Sequence, residues 1–370
     1  MYKWVIAMLA VTAVPLTMGA GRTAATSSGQ PAAGAGYAPH AAGARLVGQL
    51  HPNPVQPKLA TAAVTGPTVP NYSDKFSYKG TSYAYTSVGT DPKTSTATTT
   101  VPVTFIPVEI LEASGAYDYP TGAIGITAGS ALFQNSAATG GTQYGDATLR
   151  SSFYKYVSAN GGKWHARLGS PAITALKTVH VPSNEGSYYV VTSGSHGVVM
   201  TLNLNWYANA LAGIAAKYSA KGLVVFLTYN TVACSNYTKV KTCGTSGFHA
   251  YTTSSTGSHT FAWGSWLENA VFGANGANTA AMSHEVAEWL NDPFGNDNVP
   301  SWKVPSEPQY GCNSKLEVGD PLVGHVFTIS GLNYQDETDF SWFARQSPSI
   351  AYQGRYDYLG TVFKTYSPAC

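Results

Sequence analysis

The sequence predicts an α+β fold, with one domain built on a mixed sheet. Segments with strand and helix patterns alternate along the chain, but they lack the regular strand–helix–strand rhythm of a doubly wound sheet. A buried-strand pattern follows a helix pattern within residues 201–234. A short strand pattern at residues 259–266 then precedes an amphipathic helix. We expect this helix to pack on the sheet.

The N-terminus has the features of an exported protein. Residues 1–20 combine a short basic start, an apolar run and small residues at the end, which is typical of a secretory signal peptide. A single N-terminal membrane anchor is the alternative. No later stretch reaches about 18 consecutive apolar residues, so we predict a secreted mature chain without a membrane span.

The next segment, residues 21–68, is rich in Ala, Gly, Pro, Ser and Thr and has no sustained apolar period. We predict a disordered low-complexity leader or propeptide, because this composition buries too little apolar surface to offset the entropy lost on ordering. The segment is either a plain linker or a pro-segment that covers a site. We therefore place the folded domain at residues 69–370.

The first element of the domain is a strand over residues 96–110, which are rich in β-branched side chains. Pro102 and Pro107 favour a sheet edge or a bend, because proline has no N–H to donate to a neighbouring strand. The remaining predicted elements are helices at residues 145–159 and 201–219 and strands at residues 177–182, 187–193, 223–234, 259–266 and 356–370.

The chain has four cysteines, and an even number in an exported chain predicts two disulfides. Four cysteines allow three pairings. We favour Cys234–Cys243, which closes a short loop, together with Cys312–Cys370, which ties the last residue to the domain. None of the spacings is the C-x-x-C of a thiolate zinc site.

Composition and motifs exclude several classes of function. The net charge is +2 and charged residues make up 11% of the chain, below the roughly 25% of typical domains. A basic nucleic-acid-binding surface is therefore not expected. The sequence has no G-x-S-x-G elbow, no P-loop and no G-x-G-x-x-G fingerprint. We expect a monomer.

The stretch SHEVAEWLNDP, residues 283–293, predicts an amphipathic helix that ends before its proline. With a rotation of about 100° per residue, one face of this helix is apolar and the opposite face carries His284, Glu285 and Glu288. A helix that packs on its apolar face and leaves its polar face in water is the simplest interpretation.

The acidic residues favour a metal site instead. The chain has 19 Asp and Glu residues, and seven of them lie between Glu285 and Asp320. Because residues i and i+4 of a helix project side by side, the His284 imidazole and the Glu288 carboxylate can hold one cation. Glu285 is then placed to act as general base towards a metal-bound water.

Such a site needs a third protein ligand, and the later stretch LEVGDP offers Glu317 and Asp320. One carboxylate would bind the ion while the other orients His284. We favour these two over Asp292 and Asp297, which lie in the turn after the helix. The structural alternative for this stretch is a strand end with an Asp-Pro turn.

Two histidines before the motif helix, His249 and His259, carry a weaker signal. They could line a cleft, but a lone histidine in a segment rich in Ser, Thr and Tyr is more typical of the surface. We therefore leave both out of the predicted site.

The order of these motif residues along the chain resembles the motifs of two known protein families. It is similar to secreted proteins related to the plant EXORDIUM, or phosphate-induced, proteins, which carry an H-E-L-A-E…N-P…W…E-I-G-D run. The resemblance covers about residues 243–320 and implies a secreted or cell-surface protein. The motif also resembles that of the zincin metallopeptidases, which implies a zincin-like domain, although a glutamate stands where zincins have their second histidine. The matching residues are His284, Glu285, Glu288, Asp292, Pro293, Trp302, Glu317, Gly319 and Asp320.

Two functions are predicted. The first is a secreted, zincin-like metallohydrolase that acts on peptides, with zinc as the expected metal and calcium or manganese as alternatives for a carboxylate-rich site. The second is a non-catalytic EXORDIUM-like binding protein of the cell surface or wall, with a structural ion or none. The substrate or partner would be a peptide, a protein or a cell-wall polymer.

Overall fold

A computed structural model describes residues 45–47, 50, 52, 55–59, 63–115, 117–191, 197–304 and 311–370. The predicted signal peptide and residues 21–44 of the predicted leader lie outside this part of the chain. The helices are α1 (Thr121–Ala128), α2 (Tyr144–Ser152), α3 (Tyr154–Ala159), α4 (Leu204–Ala215), α5 (Asn269–Phe272), α6 (Ala280–Asn291) and α7 (Phe340–Phe343).

The strands alternate with these helices, and the predicted mixed α+β class is confirmed. Their bounds are β1 (Arg45–Val47), β2 (Asn71–Tyr78), β3 (Thr81–Val88), β4 (Thr98–Val101), β5 (Val103–Glu112), β6 (Tyr117–Asp118), β7 (His165–Leu168), β8 (Ala172–Ile173), β9 (Lys177–Val181), β10 (Gly186–Val191), β11 (Gly197–Asn203), β12 (Leu223–Tyr229), β13 (Thr231–Cys234), β14 (Cys243–Thr245), β15 (Gly247–Ser254), β16 (Gly257–Trp266), β17 (Asn298–Trp302), β18 (Asn313–Lys315), β19 (Val326–Ile329) and β20 (Leu332–Gln335).

The main sheet has the order β15-β16-β12-β5-β6, with β8 and β9 also paired to β5. Strand β12 runs parallel to both β16 and β5, and β15 is the antiparallel edge strand. Every residue of β12 and β16 is buried. Parallel strands are normally covered on both faces, which is why residues 223–229 read as a continuous apolar run.

The two faces of this sheet build separate cores, because successive side chains of a strand point to opposite sides. Leu223, Val225 and Leu227 belong to the core beneath α6, whereas Val224 and Phe226 belong to the core beneath α4. The motif helix α6 and the apolar helix α4 therefore cover opposite faces of the sheet.

Glycine brings the motif helix close to the sheet. A Cβ atom on Gly264 of β16 would lie 2.8 Å from the Cα of Met282 in α6. A second close approach is at Gly145 of α2, where a Cβ would meet the Leu290 side chain of α6 at 2.5 Å. The first contact lets α6 lie close to the sheet, and the second lets α2 pack closely against α6.

A second, five-stranded sheet has the order β1-β10-β11-β13-β14. Its first strand comes from the predicted leader, so the described parts of that segment pack on the domain. Both favoured disulfides are present: Cys234–Cys243 joins β13 to β14, and Cys312–Cys370 fixes the C-terminus. Among the described helices, none is long and apolar enough to cross a membrane.

Proline divides the first predicted strand. Pro102 separates β4 from β5, but β5 lies inside the main sheet, so the predicted edge position is wrong. Pro107 is tolerated there because its missing N–H falls where β5 changes partner from β8 to β9.

Other predicted boundaries also change. The predicted helix at residues 145–159 is divided into α2 and α3 at Phe153, and β11 occupies the first residues of the predicted helix at 201–219. Residues 356–370 form turns in place of the predicted strand. The chain turns there because Asp357 accepts several backbone N–H groups that follow it.

Candidate metal centre

The polar side of α6 is buried by β15, by β20 and by the loop at residues 316–320. His284 is 6% exposed, Glu285 4% and Glu288 0%. The interpretation of this side as a solvated helix face is therefore wrong. Buried ionisable groups need partners, so the contacts of these side chains decide what the site can do.

Glu288 lies at the centre of the site. Its Oε1 is 3.1 Å from His284 Nε2 and accepts the backbone N–H groups of Gly319 at 3.1 Å and Asp320 at 3.3 Å. Its Oε2 is 3.4 Å from His249 Nδ1 and is buried without a well-aligned hydrogen bond in the described part of the chain. One carboxylate thus faces histidines from two separate elements.

His249 is the site residue that the sequence interpretation missed. It lies on edge strand β15 and is 2% exposed, so its assignment to the surface is wrong, as it is for buried His259. The His249 Nδ1 atom is 3.4 Å from the nearest oxygen of both Glu285 and Glu288. Phe248, its neighbour on β15, belongs to the core beneath α4, so the His249 side chain faces the opposite side of the strand, towards α6.

The loop after β18 supplies the later carboxylates. Asp320 Oδ1 lies 3.6 Å from His284 Nε2 and is buried without a hydrogen-bond partner among the described residues. Glu317 is 1% exposed, and its Oε2 lies 3.4 Å from Gln56 Nε2. The structure thus brings both predicted loop residues to the site, with Asp320 beside the motif histidine.

Two overlapping groups have ligand atoms within 4.8 Å of one another, which is close enough to hold one metal ion. The first group is His249, Glu285 and Glu288, and the second is His284, Glu288 and Asp320. Glu288 belongs to both groups, whereas Glu317 belongs to neither. The second group contains three of the four predicted ligands.

Gln335 of β20 orients the motif histidine. Its Oε1 is 3.1 Å from His284 Nδ1, and its Nε2 donates to the Gly319 carbonyl at 2.6 Å. When Nδ1 donates to Gln335, the Nε2 lone pair of His284 points towards Glu288 and Asp320, as in metal-binding histidines held by an outer partner.

Gly319 lets the loop close over the histidine ring. A Cβ atom at this position would lie 2.5 Å from His284 Nδ1. The backbone of Gly319 has φ −85° and ψ −36°, which any residue can adopt. The requirement for glycine here is therefore one of space, and it keeps the loop N–H groups within reach of Glu288.

Burial and mutual charge shift the pKa values of these groups. Burial and the Glu288 charge raise the pKa of Glu317 and of Asp320 well above the ordinary range. The pKa of Glu288 lies below its usual value. Burial alone would raise this pKa, but the facing His284 and His249 outweigh the effect of burial. Four buried carboxylates thus face two imidazoles.

This charge imbalance fits a cation site. The raised pKa values of Glu317 and Asp320 mean that these carboxylates favour a bound positive charge, either a proton or a metal ion. The unbonded oxygens of Glu288 and Asp320 are free to serve as ligands. An imidazole with carboxylates is a donor set suited to zinc or manganese.

The carboxylates of the turn after α6 accept hydrogen bonds from the backbone. Asp292 accepts the backbone N–H groups of Phe294 and Asp297, and Asp297 accepts that of Thr86 on β3. These hydrogen bonds use the carboxylates to hold the turn. Glu307, another of the seven acidic residues between Glu285 and Asp320, lies outside the described residues.

A small cavity of about 50 Å³ opens beside His284 and Glu285. Gly247, Gln335 and Pro52 form part of its wall. This space holds an ion or one or two water molecules, since a water occupies about 30 Å³ in the liquid, but it is too small for a peptide. A larger cavity of about 790 Å³ lies elsewhere and is not lined by any of the candidate ligands.

No protein-family description, curated protein or solved structure matches this chain. The resemblance to EXORDIUM-related proteins and zincins therefore rests on the motif residues alone. The function must be inferred from the geometry of the buried cluster.

Proposed function

We propose that this chain is a secreted, metal-dependent hydrolase that cleaves peptide bonds. The observation that carries the proposal is the arrangement around Glu288, where a buried carboxylate with an unbonded oxygen faces His284, His249 and Asp320. Glu285 lies beside this group, with its Oε1 3.8 Å from His284 Nε2. The set has the ligands and the base that metal-assisted hydrolysis requires.

In this proposal His284, Glu288 and Asp320 hold the ion, and zinc is the preferred metal. A divalent ion bound there would polarise the substrate carbonyl as a Lewis acid. Because two of the three ligands are carboxylates, the ion would be a weaker Lewis acid than one held by histidines. Manganese and calcium remain alternatives for the same reason.

The remaining residues handle the proton. Burial raises the pKa of Glu285, which brings this base closer to the neutral pH at which general bases work best. Glu285 would accept the proton of the attacking water and pass it to the departing amine nitrogen, so that peptide and water become an acid and an amine. His249, 3.4 Å from Glu285 Oε2, would hold that carboxylate in place.

Metal content and activity of two variants test the proposal. Wild type should contain about one ion per chain and, once its predicted leader has been cut, cleave an unfolded protein substrate. Glu285→Gln should keep the ion and lose about 100-fold or more in rate, because the base is absent. His284→Ala should lose both ion and activity, and His325→Ala, at an exposed position, should lose neither. Equal rates for wild type and Glu285→Gln would contradict the assignment of the base.

One observation favours the second candidate, a non-catalytic cell-surface or wall-binding protein with a structural ion. The cavity at His284 and Glu285 is too small for a peptide. In that case wild type would hold the metal, chelation would lower its thermal stability, and no substrate would be cleaved.

A further inference from the structure

A segment of the predicted leader contributes to the wall of this cavity. Pro52 forms part of the cavity wall together with His284 and Glu285. Four residues later, the Gln56 side-chain amide lies 3.4 Å from Glu317 Oε2. Residues that precede the domain in sequence therefore lie over the candidate metal centre.

Contacts on both sides of the site hold the described residues of this segment, Leu50, Pro52 and residues 55–59, which we call the leader arm. Before the site, Leu50 donates its N–H to the Val271 carbonyl at 2.9 Å, and its side chain is buried. Beyond the site, the Lys58 N–H donates to Asn205 Oδ1 at 2.8 Å, and Leu59 packs against the core beneath α4. The arm is anchored at each end and crosses the site between the anchors.

The arm also passes the edge of the main sheet. Val55 donates its N–H to Thr245 Oγ1 at 3.2 Å, two residues before edge strand β15 begins at Gly247. Further along the chain, Thr65 donates to Ser258 Oγ at 2.9 Å, just beyond the far end of β15. Val55 and Thr65 therefore contact the protein near the two ends of the edge strand, where an extended peptide could add to the sheet.

We infer that the leader arm is an intramolecular cover of the candidate site, and that its removal opens the site to an extended peptide chain. The contacts of Pro52 and Gln56 support the claim that the arm covers the site. The substrate class, an extended peptide, rests on the proposed hydrolase function. The few polar contacts of the arm, most of them neutral hydrogen bonds, make it displaceable after cleavage. The exposed residues 63–67 offer a place for that cleavage.

A cleavable full-length protein tests this inference. A protease recognition sequence is inserted between Ala63 and Val64, both exposed, and a scrambled insertion treated with the same protease is the control. After zinc loading, two rates are measured before and after cutting: zinc removal by a chelator, and amide hydrogen exchange across residues 247–254. Cutting should raise both rates by about 10-fold or more, because local protection is lost.

A charge variant covers the case in which the cut arm stays bound. Gln56→Glu places a second carboxylate against Glu317 and should raise both rates after cutting and, to a smaller extent, before it. Lys58→Gln changes the net charge by the same amount at an exposed side chain and should leave them unchanged. Unchanged rates in cut wild type and cut Gln56→Glu would overturn the inference.

The same samples separate this inference from the proposed function. Faster exchange together with peptide hydrolysis that Glu285→Gln abolishes supports both. Faster exchange without any hydrolysis supports the cover and contradicts the hydrolase. If wild type binds no zinc, hydrogen exchange alone decides whether the arm covers the site.

Discussion

Two clusters of buried acidic side chains in this protein balance their charge in different ways. The motif cluster consists of His249, His284, Glu285, Glu288, Glu317 and Asp320. The C-terminal cluster consists of Asp336, Asp339 and Asp357. All of these side chains are buried. Groups of three ligand atoms within 4.8 Å of one another occur in the motif cluster, whereas the described residues of the C-terminal cluster form none.

The C-terminal cluster relies on backbone N–H groups and on protons. Asp357 accepts the backbone N–H groups of Thr361 and Phe363, and Asp336 accepts that of Leu359. Burial, with a smaller contribution from Asp357, raises the pKa of Asp336 to about 7. Asp357 therefore holds a turn of the chain, and Asp336 favours a bound proton where the motif cluster has imidazoles.

The difference shows that buried acids alone do not indicate a metal site. What distinguishes the motif cluster is a carboxylate, Glu288, that faces two histidines from separate elements and keeps an unbonded oxygen. The comparison holds only if substitutions in the two clusters have different effects on metal binding.

The largest expected difference is between Glu288→Gln and Asp339→Asn, which each neutralise one buried carboxylate. Glu288→Gln should weaken zinc binding by more than about 100-fold, because it removes the ligand shared by both groups. It should also lose the stabilisation that bound zinc adds, about 2.7 kcal/mol with zinc at 100 times its Kd. Asp339→Asn should bind zinc as wild type does.

Titration calorimetry and metal analysis measure the affinities, and thermal unfolding with and without zinc measures the stabilisation. Equal zinc affinities for the Glu288 and Asp339 variants would remove the distinction between the clusters.

A smaller effect is expected from Gly319→Ala. The new Cβ would lie 2.5 Å from His284 Nδ1, so the ring must move away from Gln335 and Glu288. Loss of such an outer contact typically costs about 10- to 100-fold in metal affinity. Gly213→Ala in α4 is the matched control, because its Cβ meets no atom within 4 Å. Unchanged zinc affinity in Gly319→Ala would show that the loop does not position the histidine.

The sequence was sufficient for those parts of the site that follow from local periodicity. Helical spacing placed His284, Glu285 and Glu288 on one side of a helix, and the concentration of acids identified Asp320. His249 could not be found in this way, because it reaches the site through the pairing of β15 with β16, and strand pairing has no local signature. Gln335 was missed for the same reason, since it comes from β20.

The prediction of the fold shows the same difference between local sequence patterns and the pairing of distant strands. The buried strand at residues 223–229 was predicted because both of its faces are covered, which leaves a continuous apolar run. The predicted strand at residues 187–193 corresponds to β10. Its pairing into a second sheet was not predicted, since the other strands of that sheet, such as β1 and β14, come from distant segments of the chain. The contacts of the leader arm depend on single hydrogen bonds such as Gln56 to Glu317, which composition cannot indicate.

The smallest predicted effect concerns the C-terminal cluster and its dependence on pH. Because the folded protein holds the Asp336 proton up to a pKa of about 7, and the unfolded chain releases it near pH 4, the folded state binds more protons between these values. The stabilisation of the folded state by the Asp336 proton is therefore complete below about pH 4 and is lost as the pH rises to about 7.

From about pH 5 to pH 8, wild type should lose up to about 3 kcal/mol more stability than Asp336→Asn, whose amide does not titrate. Urea unfolding of both proteins across this range, with a chelator present to keep the motif cluster free of metal, measures the difference. Asp91→Asn, which removes the same charge at a half-buried position, should follow the wild-type pH dependence. If Asp336→Asn also follows it, the C-terminal cluster does not hold its proton, and the two clusters do not differ in how they balance charge.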